Sequence, residues 1–206
     1  MASSTLYYIH DPMCSWCWAY RPVGDELRER LPASMKWKNL LGGLAPDSDV
    51  PMPEDMRTMI SNHWRAIQQQ LGTEFNFDFW TNCQPRRSTY PACRGVLAAA
   101  QQGAEDAMIS AIQRAYYLRA MNPSNNKTLV RLADELELDT RRFVRDLEDP
   151  ATHKALLEEI GQARSLGVSS FPSLVLLTDR GHMRIPVDYR DAATTMEAIA
   201  LAIGTT

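Results

Sequence analysis

Two cysteines in the order Cys14-Ser15-Trp16-Cys17 are the residues of this chain best suited to do chemistry. They follow a short β-prone run and open a helical stretch, a setting in which the C-x-x-C spacing reads as a redox pair. The reason is electrostatic. A cysteine in the first turn of a helix faces backbone N–H groups without helical partners and the positive end of the macrodipole, and both stabilise its thiolate. Cys17, one turn on, is close enough to close a disulfide, yet its sulfur is more buried and less activated. Cys14 is therefore the expected nucleophile and Cys17 the resolving thiol. The competing chemistry is half of a zinc site. Its second half is missing, because Cys83 and Cys93 are separated by nine residues and no histidine pair has ligand spacing.

A second signal is Gly167-Val168-Ser169-Ser170-Phe171-Pro172-Ser173, where a proline stands directly before an apolar run. That proline cannot donate to a sheet; alone it reads as an ordinary trans loop proline, and together with the C-x-x-C it marks a special peptide geometry. Beside the reactive sulfur, Trp16 reads as an exposed platform for an apolar or unfolded substrate, whereas Trp18 reads as core. Asp11 either caps its loop or, unpaired, raises the Cys14 pKa, and capping is the simpler reading. Cys83 and Cys93 read as buried or idle thiols, with a second disulfide or a regulatory thiol as the alternative. His10, His63, His153 and His182 share no spacing and read as surface or satisfied histidines. His10 alone is close in sequence to Cys14. Arg86 and Arg87 read as a solvated pair, with steering of an acidic substrate such as glutathione as the alternative.

These groups need elements to hold them. The β-prone residues 6–9 stop at His10-Asp11-Pro12, and helical character runs over 15–31, interrupted by Pro22, which is expected to kink or split that helix. A second strand over 35–41 closes at Gly42-Gly43, so the first forty residues form a βαβ unit. Residues 46–149 show helical periods and no convincing strand. Met108, Ala111, Ile112, Ala115, Tyr116 and Arg119 share one face, as do Leu129, Leu132, Ala133 and Leu136 after the Asn122-Pro123 break. Asp139 reads as the N-cap of a short helix carrying Phe143 and Leu147. Asp149-Pro150 starts another, which buries Leu156, Ile160 and Ala163 and ends at Gly167. A central strand over 173–178, a turn at Asp179-Arg180-Gly181, a partner strand over 183–187 and a last helix over 191–203 complete the chain.

Composition excludes several classes. With 206 residues, 45% of them hydrophobic and 23% charged, the chain can bury a real core and reads as neither disordered nor fibrous. Its 22 basic and 25 acidic residues leave a net charge of −3, no footprint for a phosphate backbone, so nucleic acid is not an expected partner. No apolar run approaches the roughly 20 residues that cross a bilayer, so no membrane is expected. Residues 1–8 lack the basic and long apolar regions of a secretory leader, which makes a cytoplasmic location the expectation.

Three segments carry a family resemblance. Asp11-Pro12-Met13-Cys14-Ser15-Trp16-Cys17-Trp18, Arg87-Ser88-Thr89-Tyr90-Pro91-Ala92-Cys93-Arg94, and Gly167-Val168 through Phe171-Pro172 together resemble the DsbA-like thioredoxin superfamily. Within it the chain is most similar to the FrnE-like subgroup, which has Asp-Pro-Met/Leu-Cys-x-Trp-Cys at its active site. The resemblance spans nearly the whole chain and implies an α/β, thioredoxin-like fold with an inserted α-helical domain: residues 1–45 and 150–206 form the thioredoxin-like domain and 46–149 the insert. It further implies thiol–disulfide exchange and a cis Phe171–Pro172 bond packed against the Cys14 disulfide. The Phe171 backbone would then face an extended substrate while its ring narrows the groove.

The expected site is thus Cys14 and Cys17 as catalytic thiols, with Ser15, Trp16, Phe171 and Pro172 on the substrate side, no metal, and no cofactor beyond the redox-active disulfide. Between the cysteines, Ser15-Trp16 lacks the histidine of the strongly oxidising members. The leading expectation is a disulfide reductase or isomerase acting on protein or small-molecule thiols and disulfides, with glutathione as a candidate co-substrate. One alternative is a glutathione-dependent isomerase or transferase of the related kappa-like branch. That branch usually replaces the first cysteine with serine, and this chain retains both. The other is a redox-sensing peptide-binding module.

Overall fold

The apolar runs at 6–9 and 174–177 need cover on both faces, and the fold places both in the middle of one sheet. The computed structural model describes residues 4–204; residues 1–3, part of the segment read for a leader, and the last two of the second thioredoxin-like part lie outside the described residues. Strand β1 (Ser4–His10) pairs in parallel with β2 (Met35–Leu41) and antiparallel with β3 (Ser173–Thr178), which in turn pairs with β4 (Gly181–Ile185), giving the order β2-β1-β3-β4. Leu6 therefore faces Trp37 on one side and Leu176 on the other. One face of the sheet buries Leu6, Leu174 and Leu176 against Tyr20 and Leu27 of α1 (Ser15–Arg30) and Ile199 of α9 (Ala192–Ile203). The other buries Ile9, Leu40 and Val175 against Ala163 of α8 (Pro150–Ser165). Each such aliphatic side chain contributes about 1.5–3 kcal/mol of burial.

Pro22 and the last strand differ from expectation. Helix α1 runs unbroken through Pro22 rather than splitting there, because proline's fixed φ suits a helix and Ala19, Tyr20, Val23, Gly24 and Leu27 are buried on both sides of it. The last strand begins at Gly181, two residues early. Thr178 pairs with Gly181 across a loop of only Asp179 and Arg180, and Gly181 has φ +116°, which a residue with a Cβ rarely adopts.

Between β2 and α8 the described chain is helical: α2 (Glu54–Leu71), α3 (Phe79–Asn82), α4 (Tyr90–Ala100), α5 (Glu105–Leu118), α6 (Asn126–Glu135) and α7 (Thr140–Glu148), with an isolated bridge between Pro51 and Arg86. The expected caps are formed, since the Asp139 carboxylate accepts from the Arg142 amide and that of Asp149 from the Ala151 amide. Trp64 of α2 is buried at the centre of this part, with its ring against those of Phe75, Phe79, Trp80, Tyr116 and Tyr117. The same hydrophobic cluster takes in Met13, Ala19 and Leu41 beside the sheet and Leu156 and Ile160 of α8. One continuous core thus connects the helical part to the end of β1 and β2 where Cys14 sits.

Candidate active site

Cys14 is the N-cap of α1 and so stands one position ahead of the first turn in which the sequence places it. Its amide donates to the Asp11 carbonyl and its carbonyl accepts from the Trp18 amide, each at 3.0 Å, which fixes the entry into the helix. Cys14 is 7% exposed, against 0% for Cys17. The Cys14 pKa is lowered, first by a hydrogen bond from the Cys17 side chain and then by the backbone amides of Cys17 and Trp16, while burial and Asp11 oppose the shift. Cys17 is pushed well up by its burial and by the proximity of Cys14. The two sulfurs of the pair are therefore shifted in opposite directions.

The second signal arrives at the same place from 157 residues away. The Phe171–Pro172 bond is cis, and the Cys14 thiol lies 3.5 Å from the Phe171 carbonyl oxygen, to which it donates. Pro172 is buried and Phe171 half-buried. The Phe171 ring rests on Gly42 at the end of β2, where a Cβ would stand 2.0 Å from a ring carbon. Ser15 and Trp16 are both half-buried, and the Trp16 indole meets the edge of the Tyr189 ring at 5.1 Å between centroids. Trp18 stacks on Tyr117 and donates from Nε1 to the Glu74 carbonyl, so it anchors the helical part to α1. Beside it a cleft of about 640 Å³ is lined by Trp18, Arg21, Leu71, Glu74, Tyr189 and Arg190. A second cavity, of about 670 Å³, holds no cysteine, and its Arg86 and Arg94 are tied to Asp49 and Asp47.

Other residues singled out by sequence fall differently. Asp11 does cap its loop through the Met13 amide and is not unpaired, yet its charge still opposes the lowering of Cys14 and adds to the rise of Cys17. His10 is neither surface nor satisfied: it is fully buried, stacked on Tyr8 at 4.9 Å, and neither ring nitrogen has a partner among the described residues. Arg86 is no solvated residue, since it pairs with Asp49 at 2.9 Å and donates to Asn125 at 2.8 Å; Arg87 alone is exposed. Cys93 is buried beside Asp11, and Cys83 donates to the Ala120 carbonyl at 3.1 Å. Sequence reasoning missed Gly42, Thr89 and Tyr189. Thr89 lies inside the segment 87–94 and Gly42 is legible only as a strand end; nothing local marks Tyr189. Among the described residues no helix is long and apolar enough to cross a membrane.

A sequence profile of the DSBA-like thioredoxin domain matches residues 6–195. The chain belongs to this family. Its fold is shared with a Nitrosomonas europaea protein described as a candidate protein disulfide isomerase, at a TM-score of 0.85 and 28% identity over 98% of each chain. The cytosolic disulfide reductase DsbM from Pseudomonas aeruginosa has the same fold at a TM-score of 0.76 and 23% identity, covering 97% of this chain and 98% of that one. Among curated proteins, the ClpXP adapter protein SpxH of Bacillus subtilis is 25% identical over 192 residues, 89% of this chain and 62% of SpxH. The SpxH of Halalkalibacterium halodurans is 22% identical over 180 residues, 84% and 58% of the two chains. The DsbA-like chain thus spans about three-fifths of the length of these curated relatives. Its thioredoxin fold is that of disulfide oxidoreductases.

Proposed function

We propose that this chain is a dithiol–disulfide oxidoreductase of the reductase or isomerase type, belonging to the FrnE-like subgroup of the family. The observation that carries the reading is the opposed preparation of two adjacent sulfurs: Cys14 at a helix N-terminus with a lowered pKa, Cys17 buried with a raised one. The Cys14 thiolate attacks a substrate disulfide, releases one substrate thiolate and forms a mixed disulfide. Cys17 gives up its proton, attacks the Cys14 sulfur, and releases the second substrate thiol, so two electrons pass to the substrate and the pair becomes a disulfide. The cis Phe171–Pro172 segment offers its backbone to an extended substrate beside Cys14, with Ser15 and the Trp16 ring on the rim. Glutathione is the proposed thiol that restores the dithiol, and no other cofactor enters the cycle. The DsbM structure, also determined with GSH, supports that choice. Its description as cytosolic supports a reducing compartment.

The test is catalysed reduction of insulin by dithiothreitol. Wild type should accelerate it, Cys14→Ser should not, and Cys17→Ala should accumulate mixed disulfides on Cys14. Sub-stoichiometric alkylation at neutral pH should modify Cys14 first; modification of Cys17 or Cys93 first would overturn the assignment. A second reading is favoured by the curated relatives, which are adapter proteins: a module that binds a protein partner without turning over disulfides. Under it, Cys14→Ser would leave partner binding intact and wild type would not accelerate insulin reduction.

A further inference from the structure

Asp11 is fully buried three residues ahead of Cys14, and everything around it donates. Its Oδ1 accepts from the Met13 amide at 2.8 Å. Its Oδ2 accepts from the Leu44 amide at 2.7 Å, the Thr89 hydroxyl at 2.6 Å and the Cys93 thiol at 3.6 Å. Thr89 Oγ1 itself accepts from the Ala45 amide at 3.0 Å, and of the two acceptors its one proton can reach, Asp11 at 2.6 Å is closer than the Ala45 carbonyl at 3.3 Å. Four donors and no acceptor are the surroundings of an ionised carboxylate. They come from the β1–α1 loop, the loop after β2 and the start of α4, so Asp11 also ties the helical part to the floor of the site. Burying a carboxylate costs several kcal/mol even when it is hydrogen-bonded. A neutral side chain could cap Met13 without that cost, so the charge itself calls for an explanation.

We propose that Asp11 is a positioning residue for the Cys14 and Cys17 pair, whose buried carboxylate holds a fixed negative charge in the loop that leads into the pair and so favours the disulfide over the dithiol form. This rests on the redox reading above and gives it a direction. The disulfide carries no charge on sulfur and does not feel Asp11. The reduced pair gains negative charge as Cys14 ionises, a charge that the helix amides stabilise and Asp11 destabilises. In the exchange of protein dithiol with glutathione disulfide, giving protein disulfide and two glutathione thiols, Asp11 therefore pushes two electrons outward, toward the substrate.

The other titratable groups facing the sulfurs are Tyr8 on β1, Tyr117 on α5 and Tyr189 before α9, and burial pushes each of them up. Cys93 on α4 is likewise raised, first by burial and then by Asp11. These four are neutral at pH 7, which leaves Asp11 as the charge among them.

Asp11→Asn tests the idea, with folding checked by near-ultraviolet circular dichroism. The pH at which Cys14 becomes alkylatable should fall by about half a unit or more, and the glutathione equilibrium should move toward the dithiol by about threefold or more. Cys93→Ala removes a donor but leaves the charge, and should do neither. A folded Asp11→Asn protein unchanged in both readouts, or a Cys93→Ala protein that shifts as far, overturns the proposal. Should Asp11→Asn not fold, wild type decides. Its Asp11 carboxyl-carbon resonance should move as Cys14 ionises and stay still over that range in Cys14→Ser; a resonance indifferent to Cys14 overturns it. Wild type that never equilibrates with glutathione overturns the redox reading instead, while the alkylation profile still judges Asp11.

Discussion

At the scale of single residues, His10 is the least expected feature of the site's surroundings. A buried imidazole with both nitrogens unpartnered is held neutral, and burial lowers its pKa from 6.5 to about 4. The sign of the pH dependence follows. Below about pH 6.5 the unfolded chain binds a proton that the folded chain refuses, so stability falls as the pH drops toward 4 and no further below it. Two and a half units correspond to about 3 kcal/mol, as an order of magnitude. Urea melts at pH 7 and pH 4.5 should show the loss in wild type and a smaller one in His10→Phe, which keeps an aromatic ring on Tyr8. Equal losses in both proteins would show that His10 is not the cause. The cysteines obey the same logic in the other direction. Cys17 and Cys93 are raised well above 9, so the reduced protein loses stability once the pH climbs past the unfolded thiol value of about 8.5.

At the scale of elements, the end of β2 and the segment before β3 meet at one atom's width. Gly42 has no side chain where a Cβ would collide with the Phe171 ring, and the Gly42 amide donates to the His10 carbonyl at 2.7 Å, which pins its backbone to β1. The ring must therefore give way in Gly42→Ala, moving the Phe171 carbonyl from its place beside Cys14. A displacement of about 1 Å costs up to about a hundredfold in rate. Insulin-reduction rates should fall in Gly42→Ala and fall no further in Gly42→Ala combined with Phe171→Ala than in Phe171→Ala alone. Additive losses in the double variant would mean that Gly42 acts on something other than the ring. The same element-level view explains why α1 survives Pro22. The helix is held by packing on both its sides, and one missing hydrogen bond does not outweigh it.

At the scale of the whole molecule, the shared core predicts one unfolding event. Met13, Ala19 and Leu41 lie in the same cluster as Trp64, so the helical part cannot open without uncovering the base of the loop that carries Cys14. Denaturation followed by tryptophan fluorescence and by alkylation of Cys17 and Cys93 should give coincident transitions. Trp64→Ala, at a cost of about 3–5 kcal/mol, should shift both together. Separate midpoints would show two independent folding units, with the helical part uncoupled from the site.

What the sequence by itself determined lies close together along the chain. The Cys14 and Cys17 spacing, the caps at Asp139 and Asp149, the helical periods of α5 and α6 and the apolar runs of β1 and β3 all depend on neighbours within a turn or a pleat, and local chemistry reads them directly. The proline before β3 could be flagged from sequence, but its cis bond was implied by family likeness rather than by local pattern. Tertiary structure alone decided the rest: that Phe171 reaches Cys14, that its ring needs Gly42, that Tyr189 edges Trp16, and that Thr89 and Cys93 close around Asp11. Those contacts join residues 78 to 173 positions apart or bring together ends of different strands, and no period or cap encodes such meetings. They exist because β1 is central, with β2 and β3 on either side of it, so that the loops at one end of these strands converge on the first turn of α1.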